Sequence, residues 1–142
     1  MDTPSDGVTE RQQDVVETRD PLARMTAYSL AVELVDGCWR DVEQLKKNWT
    51  TRLIAPQLYR AAVSISANIA EGYSRSSGRD RVRFFEYALG SARECRTWYE
   101  ASRFVLPPRK VRYQVEKLGR ICRILLSVIP RERDLEIRRY KR

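Results

Sequence analysis

The stretch Pro108-Arg-Lys-Val-Arg-Tyr-Gln-Val-Glu-Lys-Leu-Gly-Arg-Ile-Cys-Arg-Ile-Leu-Leu-Ser-Val-Ile-Pro130 carries the most regular apolar seam in the chain. Val111, Val115, Leu118, Cys122, Leu125 and Ile129 recur in steps of three and four. That spacing places all six on one side of a helix with 3.6 residues per turn. Pro107-Pro108 suits the start of such a helix, because a proline in the first turn gives up no hydrogen bond. Pro130 is expected to end it. The spacing therefore predicts a fourth helix over 108–129.

Working back from there, the same period returns three times. Val82, Phe85, Leu89, Ala92, Arg96 and Tyr99 mark a third helix over 79–105, with Cys95 and Trp98 beside the stripe. Ser74-Arg-Ser-Ser-Gly78 is a linker of turn residues. Leu58, Ala62, Ile65, Ile69 and Tyr73 mark a second helix over 56–75, preceded by a break before Pro56. Met25, Tyr28, Val32, Val35, Trp39 and Val42 mark a first helix over 21–47, with Trp49 beyond it. Asp20 can cap that helix and Pro21 can open it. Gly37 weakens it by about 1 kcal/mol without ending it. No segment alternates as a strand. Four amphipathic helices with short links predict an all-α, up-down-up-down antiparallel four-helix bundle over residues 21–130.

The chain has 142 residues, enough for one domain, and no apolar run long enough to cross a bilayer. It has no histidine. That removes serine-histidine triads, cysteine-histidine dyads, His-ligated zinc and the Glu-x-x-His di-iron bundles. Cys38, Cys95 and Cys122 are scattered on or beside apolar seams, as expected of core thiols in a reducing cytoplasm. The acidic N-terminus lacks the apolar stretch of a signal peptide.

Charge is divided unevenly. Lys and Arg number 27 and Asp and Glu 19, a net of +8. Residues 1–20 hold six acids and two arginines, and read as a disordered acidic tail of charge −4. The rest of the chain therefore carries +12. A surplus of that size, mostly arginine, suits a polyanionic partner, of which nucleic acid is the commonest. Three basic clusters stand out. Arg75, Arg79, Arg81 and Arg83 surround the link between helices two and three. Arg109 and Lys110, with Arg103 and Arg112, bracket the turn into helix four. Arg138 and Arg139, with Lys141 and Arg142, lie in a basic C-terminal tail over 131–142. In an up-down bundle the first and third clusters share one end and the second lies at the other. Tyr73, Phe84 and Tyr87 near the first cluster could stack on bases, although aromatic residues at this spacing belong more often to a core.

Helix two also carries a polar stripe: Arg60, Ser64, Asn68, Glu71 and Arg75. Helix three offers Glu86, Arg93 and Glu94 beside small Gly90 and Ser91. A buried hydrogen-bonded network that fixes helix register accounts for these residues better than an acid-base or cation site on Glu71 and Glu94, since no nucleophile or acidic cluster accompanies them.

Arg60-Ala-Ala-Val-Ser-Ile-Ser-Ala-Asn-Ile-Ala-Glu-Gly72 resembles the RAA-x-S-I-x-x-NIAEG motif of a bacterial four-helix-bundle family, the 23S rRNA intervening-sequence proteins. Phe85-Glu-Tyr-Ala-Leu-Gly-Ser-Ala-Arg-Glu94 resembles that family's second motif, F-x-x-A-x-GS-x-x-E, in the same order and register. The likeness spans about residues 22–130 and leaves out the acidic and basic tails. It implies a ring-like homopentamer with no known catalytic activity, related to the accessory protein of diversity-generating retroelements. That relative is a basic barrel that binds nucleic acid and a reverse transcriptase. Ser64, Asn68, Glu71, Gly72, Gly90, Ser91 and Glu94 fall on the motifs and are taken as fold- and assembly-determining. Together these readings predict a cytoplasmic, non-enzymatic oligomer that binds nucleic acid, RNA above DNA, with no cofactor or metal. The alternative is a protein-interaction scaffold, such as a reverse-transcriptase accessory subunit.

Overall fold

A computed structural model describes residues 20–142. The segment read as an acidic tail lies outside the described residues, Asp20 excepted. Asp20 accepts a 2.9 Å hydrogen bond from the Leu22 N–H and caps a short 3-10 turn, Pro21–Arg24. Met25 is extended, so the α-helix proper starts only after it. Four helices follow: α1 Thr26–Lys46, α2 Ile54–Ser74, α3 Gly78–Ala101 and α4 Pro108–Tyr140. No strand occurs among the described residues. The turns at 75–77 and 102–107 force antiparallel neighbours, and α1–α2, α2–α3, α3–α4 and α4–α1 all touch. The architecture is the expected four-helix bundle.

One core runs its length. Leu34, Leu45, Leu58, Ile65, Ile69, Leu118, Ile121 and Leu125 are fully buried, and Ala27, Ala31, Ala62 and Ala88 let helix backbones approach. Burying a large aliphatic side chain stabilises by about 1.5–3 kcal/mol, so these residues dominate the driving force.

The core face of α1 differs from the predicted seam. Ala27, Leu30, Ala31, Leu34, Cys38, Val42 and Leu45 face inward, whereas Val32 and Trp39 are exposed and Tyr28 and Val35 are half-buried. The helix has two apolar faces, and the one with small residues and leucines fits between its neighbours. On α4 the buried line shifts to Gln114, Leu118, Ile121, Leu125 and Ile129, leaving Val111, Val115 and Cys122 at its margin.

Helix limits also differ from expectation. Helix α2 starts two residues before Pro56, because a proline in the first turn leaves no hydrogen bond unmade. Helix α3 stops at Ala101, where the Ser102 hydroxyl donates to the Trp98 carbonyl at 2.7 Å.

The largest correction concerns Pro130. It does not end α4, which continues to Tyr140, so residues 131–140 are helix rather than a separate tail. The proline removes one N–H donor, but Leu126, whose carbonyl loses that partner, is an exposed residue. Three contacts hold the extension to the start of α3. Arg81 Nε lies 3.2 Å from Glu132, Arg133 pairs with Glu86, and the Gly78 N–H donates to Glu136 at 3.1 Å. A Cβ on Gly78 would come within 2.9 Å of Glu136 Oε2 and 3.1 Å of the Glu132 carbonyl oxygen. Glycine is what lets the extension lie this close.

Candidate functional site

Helices α1 and α3 run one way, α2 and α4 the other. The α2–α3 corner with Arg75, Arg79, Arg81 and Arg83 therefore shares an end of the bundle with Arg138 and Arg139, while Arg109 and Lys110 lie at the opposite end.

The corner is less available than its arginine count implies. Arg75 pairs with Glu71, Arg81 with Glu132, and Arg83 lies 3.6 Å from Asp80. Arg79 alone of the four has no carboxylate within 4 Å among the described residues, and it borders a hollow with Gly78, Val82, Glu136, Ile137 and Tyr140. Arg75 and Arg83 both lie over the Phe84 ring, at 5.0 and 5.2 Å, and Phe84 meets Tyr87 edge to face at 5.8 Å. Tyr73 and Tyr87 are exposed and Phe84 is half-buried, so these aromatic residues belong to the surface and not to the core. Arg138 and Arg139 are exposed in the last turn of α4, where positive charge is favoured by the helix dipole. Lys110 lies 3.6 Å from Asp41, while Arg109 is exposed.

The motif residues do not form the expected buried network. Glu71, Gly90 and Glu94 are exposed, and Ser64, Asn68 and Ser91 are half-buried. Their bonds stay within one helix: Asn68 Nδ2 donates to the Ser64 carbonyl at 2.8 Å, and Trp98 Nε1 donates to Glu94 at 3.2 Å. Gly72 is different. It is buried, and a Cβ there would lie 2.8 Å from the Phe85 ring. A Cβ on Gly90 would meet nothing within 4 Å.

A buried polar network does exist, on residues the sequence reading did not select. Tyr99 donates to Asp41 at 2.8 Å and receives a 3.1 Å hydrogen bond from Gln114 Nε2, which also reaches the Leu34 carbonyl at 3.3 Å. Burial pushes the Cys38 thiol up to about 12 and raises Cys95 and Tyr99 well above their ordinary ranges. Buried thiols of this kind stay protonated and pack as small hydrophobes. No group of three or more Cys, Asp or Glu suited to a metal occurs among the described residues.

The structure joins Arg103 and Arg112 of the second cluster to further arginines, Arg93, Arg96, Arg120 and Arg123, that the sequence reading did not place in any basic cluster, in one surface along α3 and α4. Two hollows of about 460 and 430 Å³ meet at Val115. The first is bordered by Arg103, Phe104, Arg112 and Glu100, the second by Arg96, Arg120, Arg123 and Glu116. Arg93, Arg96 and Arg123 all lie near Cys122, where their charges oppose the upward push of burial on its thiol. Arg96 is paired with Glu100 at 3.1 Å, but Arg93, Arg120 and Arg123 have no carboxylate within 4 Å among the described residues. The signal was present as paired i, i+3 arginines at 93/96 and 120/123, which antiparallel helices bring together.

The fold and surface define a basic four-helix-bundle protein with no helix, among the described residues, long and apolar enough to cross a membrane. Its family follows from comparison. The chain belongs to the 23S rRNA-intervening sequence protein family, whose model matches residues 23–125. Among solved structures, a protein of unknown function from the S23 ribosomal protein family of Bacteroides thetaiotaomicron is similar in fold. It matches with a TM-score of 0.68 at 20% identity over 73% of this chain and 98% of that one. No curated protein matches the chain.

Proposed function

We propose that this protein is a non-enzymatic, self-associating four-helix-bundle protein that binds nucleic acid, RNA above DNA, through arginine. The observation that carries this is the set of exposed arginines without carboxylate partners on a body whose residues beyond 20 carry +12. Phosphate oxygens match the planar guanidinium fork, and such contacts grip a backbone without reading its sequence. The family name ties these proteins to an intervening sequence of 23S rRNA, and on that association we favour RNA over DNA.

Self-association is supported by an apolar surface on α1 and α2. Val32 and Trp39 on α1 and Val63 on α2 are each more than a third exposed, and Trp39 meets Tyr59 edge-on at 5.5 Å. Exposed apolar groups gathered on one face mark an interaction site. A ring of copies would repeat every arginine cluster about one axis. The same face supports a second reading, a scaffold that docks another protein such as a reverse transcriptase. Light scattering on the purified chain, with and without RNA, tests both. A defined oligomer that takes up RNA fits the first reading. A monomer indifferent to RNA contradicts it and leaves the second.

A further inference from the structure

We infer that the groove between α3 and α4 is the track on which a single-stranded nucleic acid lies, and that it supplies more of the grip than the α2–α3 corner. This rests on the nucleic-acid reading above and adds to it the site and the strand form.

Availability is the first argument. In the corner, Arg75, Arg81 and Arg83 each already face a carboxylate, so a phosphate arriving there must displace one. Arg120 and Arg123 on the groove, and Arg93 beside it near Cys122, face none among the described residues. A phosphate meets open guanidinium forks there.

Continuity is the second. The two hollows adjoin at Val115, their one shared lining residue, and together they extend from Phe104 to Arg123. Arg112 to Arg123 spans about 16 Å of helix at 1.5 Å per residue, room for a few nucleotides. Packed helices have axes about 8–10 Å apart, a spacing nearer the width of one strand than of a duplex, and the inferred strand form follows from that match.

The third argument is the groove's furnishing. Phe104 is 84% exposed at its upper end, with the Arg103 guanidinium 4.4 Å from the ring centroid. An exposed ring beside a cation is a platform for a base. Gly119 lies at the floor in mid-helix, where glycine is a poor choice for stability. A Cβ there would meet only Arg123 Nη1, at 3.4 Å, so the subunit's own packing does not require glycine. Its missing side chain keeps the floor open. Glu116 borders this hollow and Glu100, paired with Arg96, borders the other, and both oppose the arginines.

Fluorescence anisotropy with the full chain tests the inference, using a labelled single-stranded RNA and the matching duplex over a range of KCl. The variant R93A/R120A/R123A is expected to bind the single strand at least about 10-fold more weakly and to flatten the salt slope by about 2, at about 0.7 for each phosphate no longer neutralised. R75A/R79A/R83A should weaken binding by less than about 3-fold, because Arg75 and Arg83 already face Glu71 and Asp80 and only Arg79 is open. Removal of the stacking platform in Phe104→Ala should cost about 5-fold, and Glu116→Gln should tighten binding. Circular dichroism confirms that each variant folds. Unchanged binding by the groove variant, or a larger effect in the corner variant, overturns the inference while the nucleic-acid reading stands. Tighter binding of the duplex overturns the strand form. A wild-type chain that binds neither overturns the inference together with the reading beneath it.

Discussion

The Tyr99 hydroxyl on α3 crosses the core to donate a 2.8 Å hydrogen bond to Asp41 on α1. Gln114 on α4 completes the tie through its 3.1 Å hydrogen bond to Tyr99. Three helices are thereby fixed in register by one polar cluster inside the core. Lys110, 3.6 Å away, offsets the Asp41 charge.

Tyr99→Phe keeps the ring and removes the donor. Asp41 then loses its hydroxyl partner in a site where it is only 3% exposed. An unsatisfied buried acceptor costs about 1–3 kcal/mol. Urea unfolding should show a loss of that size with an unchanged slope.

The two glycines at 37 and 90 should respond in opposite ways to alanine. A Cβ at 37 would lie 2.5 Å from Gln114 Nε2 and push that side chain off its partners. The helix-propensity gain of about 1 kcal/mol is outweighed by the broken buried hydrogen bonds, and Gly37→Ala should destabilise. Gly90→Ala meets no atom and should stabilise the subunit by about 0.5–1 kcal/mol. Under the proposed self-association, a glycine that the subunit's own packing does not need is expected at a contact with another copy. Light scattering on Gly90→Ala should show weakened self-association despite the firmer fold.

Gly78→Ala should loosen the helical extension without unfolding the bundle. The new methyl group would press on Glu136 and on the Glu132 carbonyl. Hydrogen exchange should quicken over residues 131–140 and stay slow in α1, α2 and α3.

The buried thiols set an alkaline limit. Cys38 is raised from 9.0 to about 12, so above pH 9 the unfolded chain releases a proton that the folded chain keeps. Stability should therefore fall as pH rises from about 9 to 12, by about 1.4 kcal/mol per pH unit for that group. Cys38→Ala should flatten the fall measured by urea titration at pH 8 and pH 10. Iodoacetamide should reach half-buried Cys122 before Cys38 or Cys95.

The bundle was legible because its signal is local. The seam Leu58, Ala62, Ile65, Ile69 is buried as read, and so are Val82, Phe85, Leu89 and Ala92. The α1 face was misread because counting large residues favoured Val32 and Trp39 over the small Ala27 and Ala31, and only the neighbouring helices decide which face fits. Pro130 was misread because a proline removes one hydrogen bond, while Glu132 and Glu136 contribute contacts to a segment some fifty residues distant in sequence. The arginine clusters were found where they are dense in sequence. Those on α3 and α4 are sparse along the chain and dense only across two antiparallel helices.

The most direct test of the account is the affinity of the intact chain for single-stranded RNA as a function of KCl. Binding by open guanidinium groups predicts a linear fall of log K with log salt, with a slope of about −2 or steeper for three or more phosphates. A slope near zero, or no binding at low salt, would contradict it.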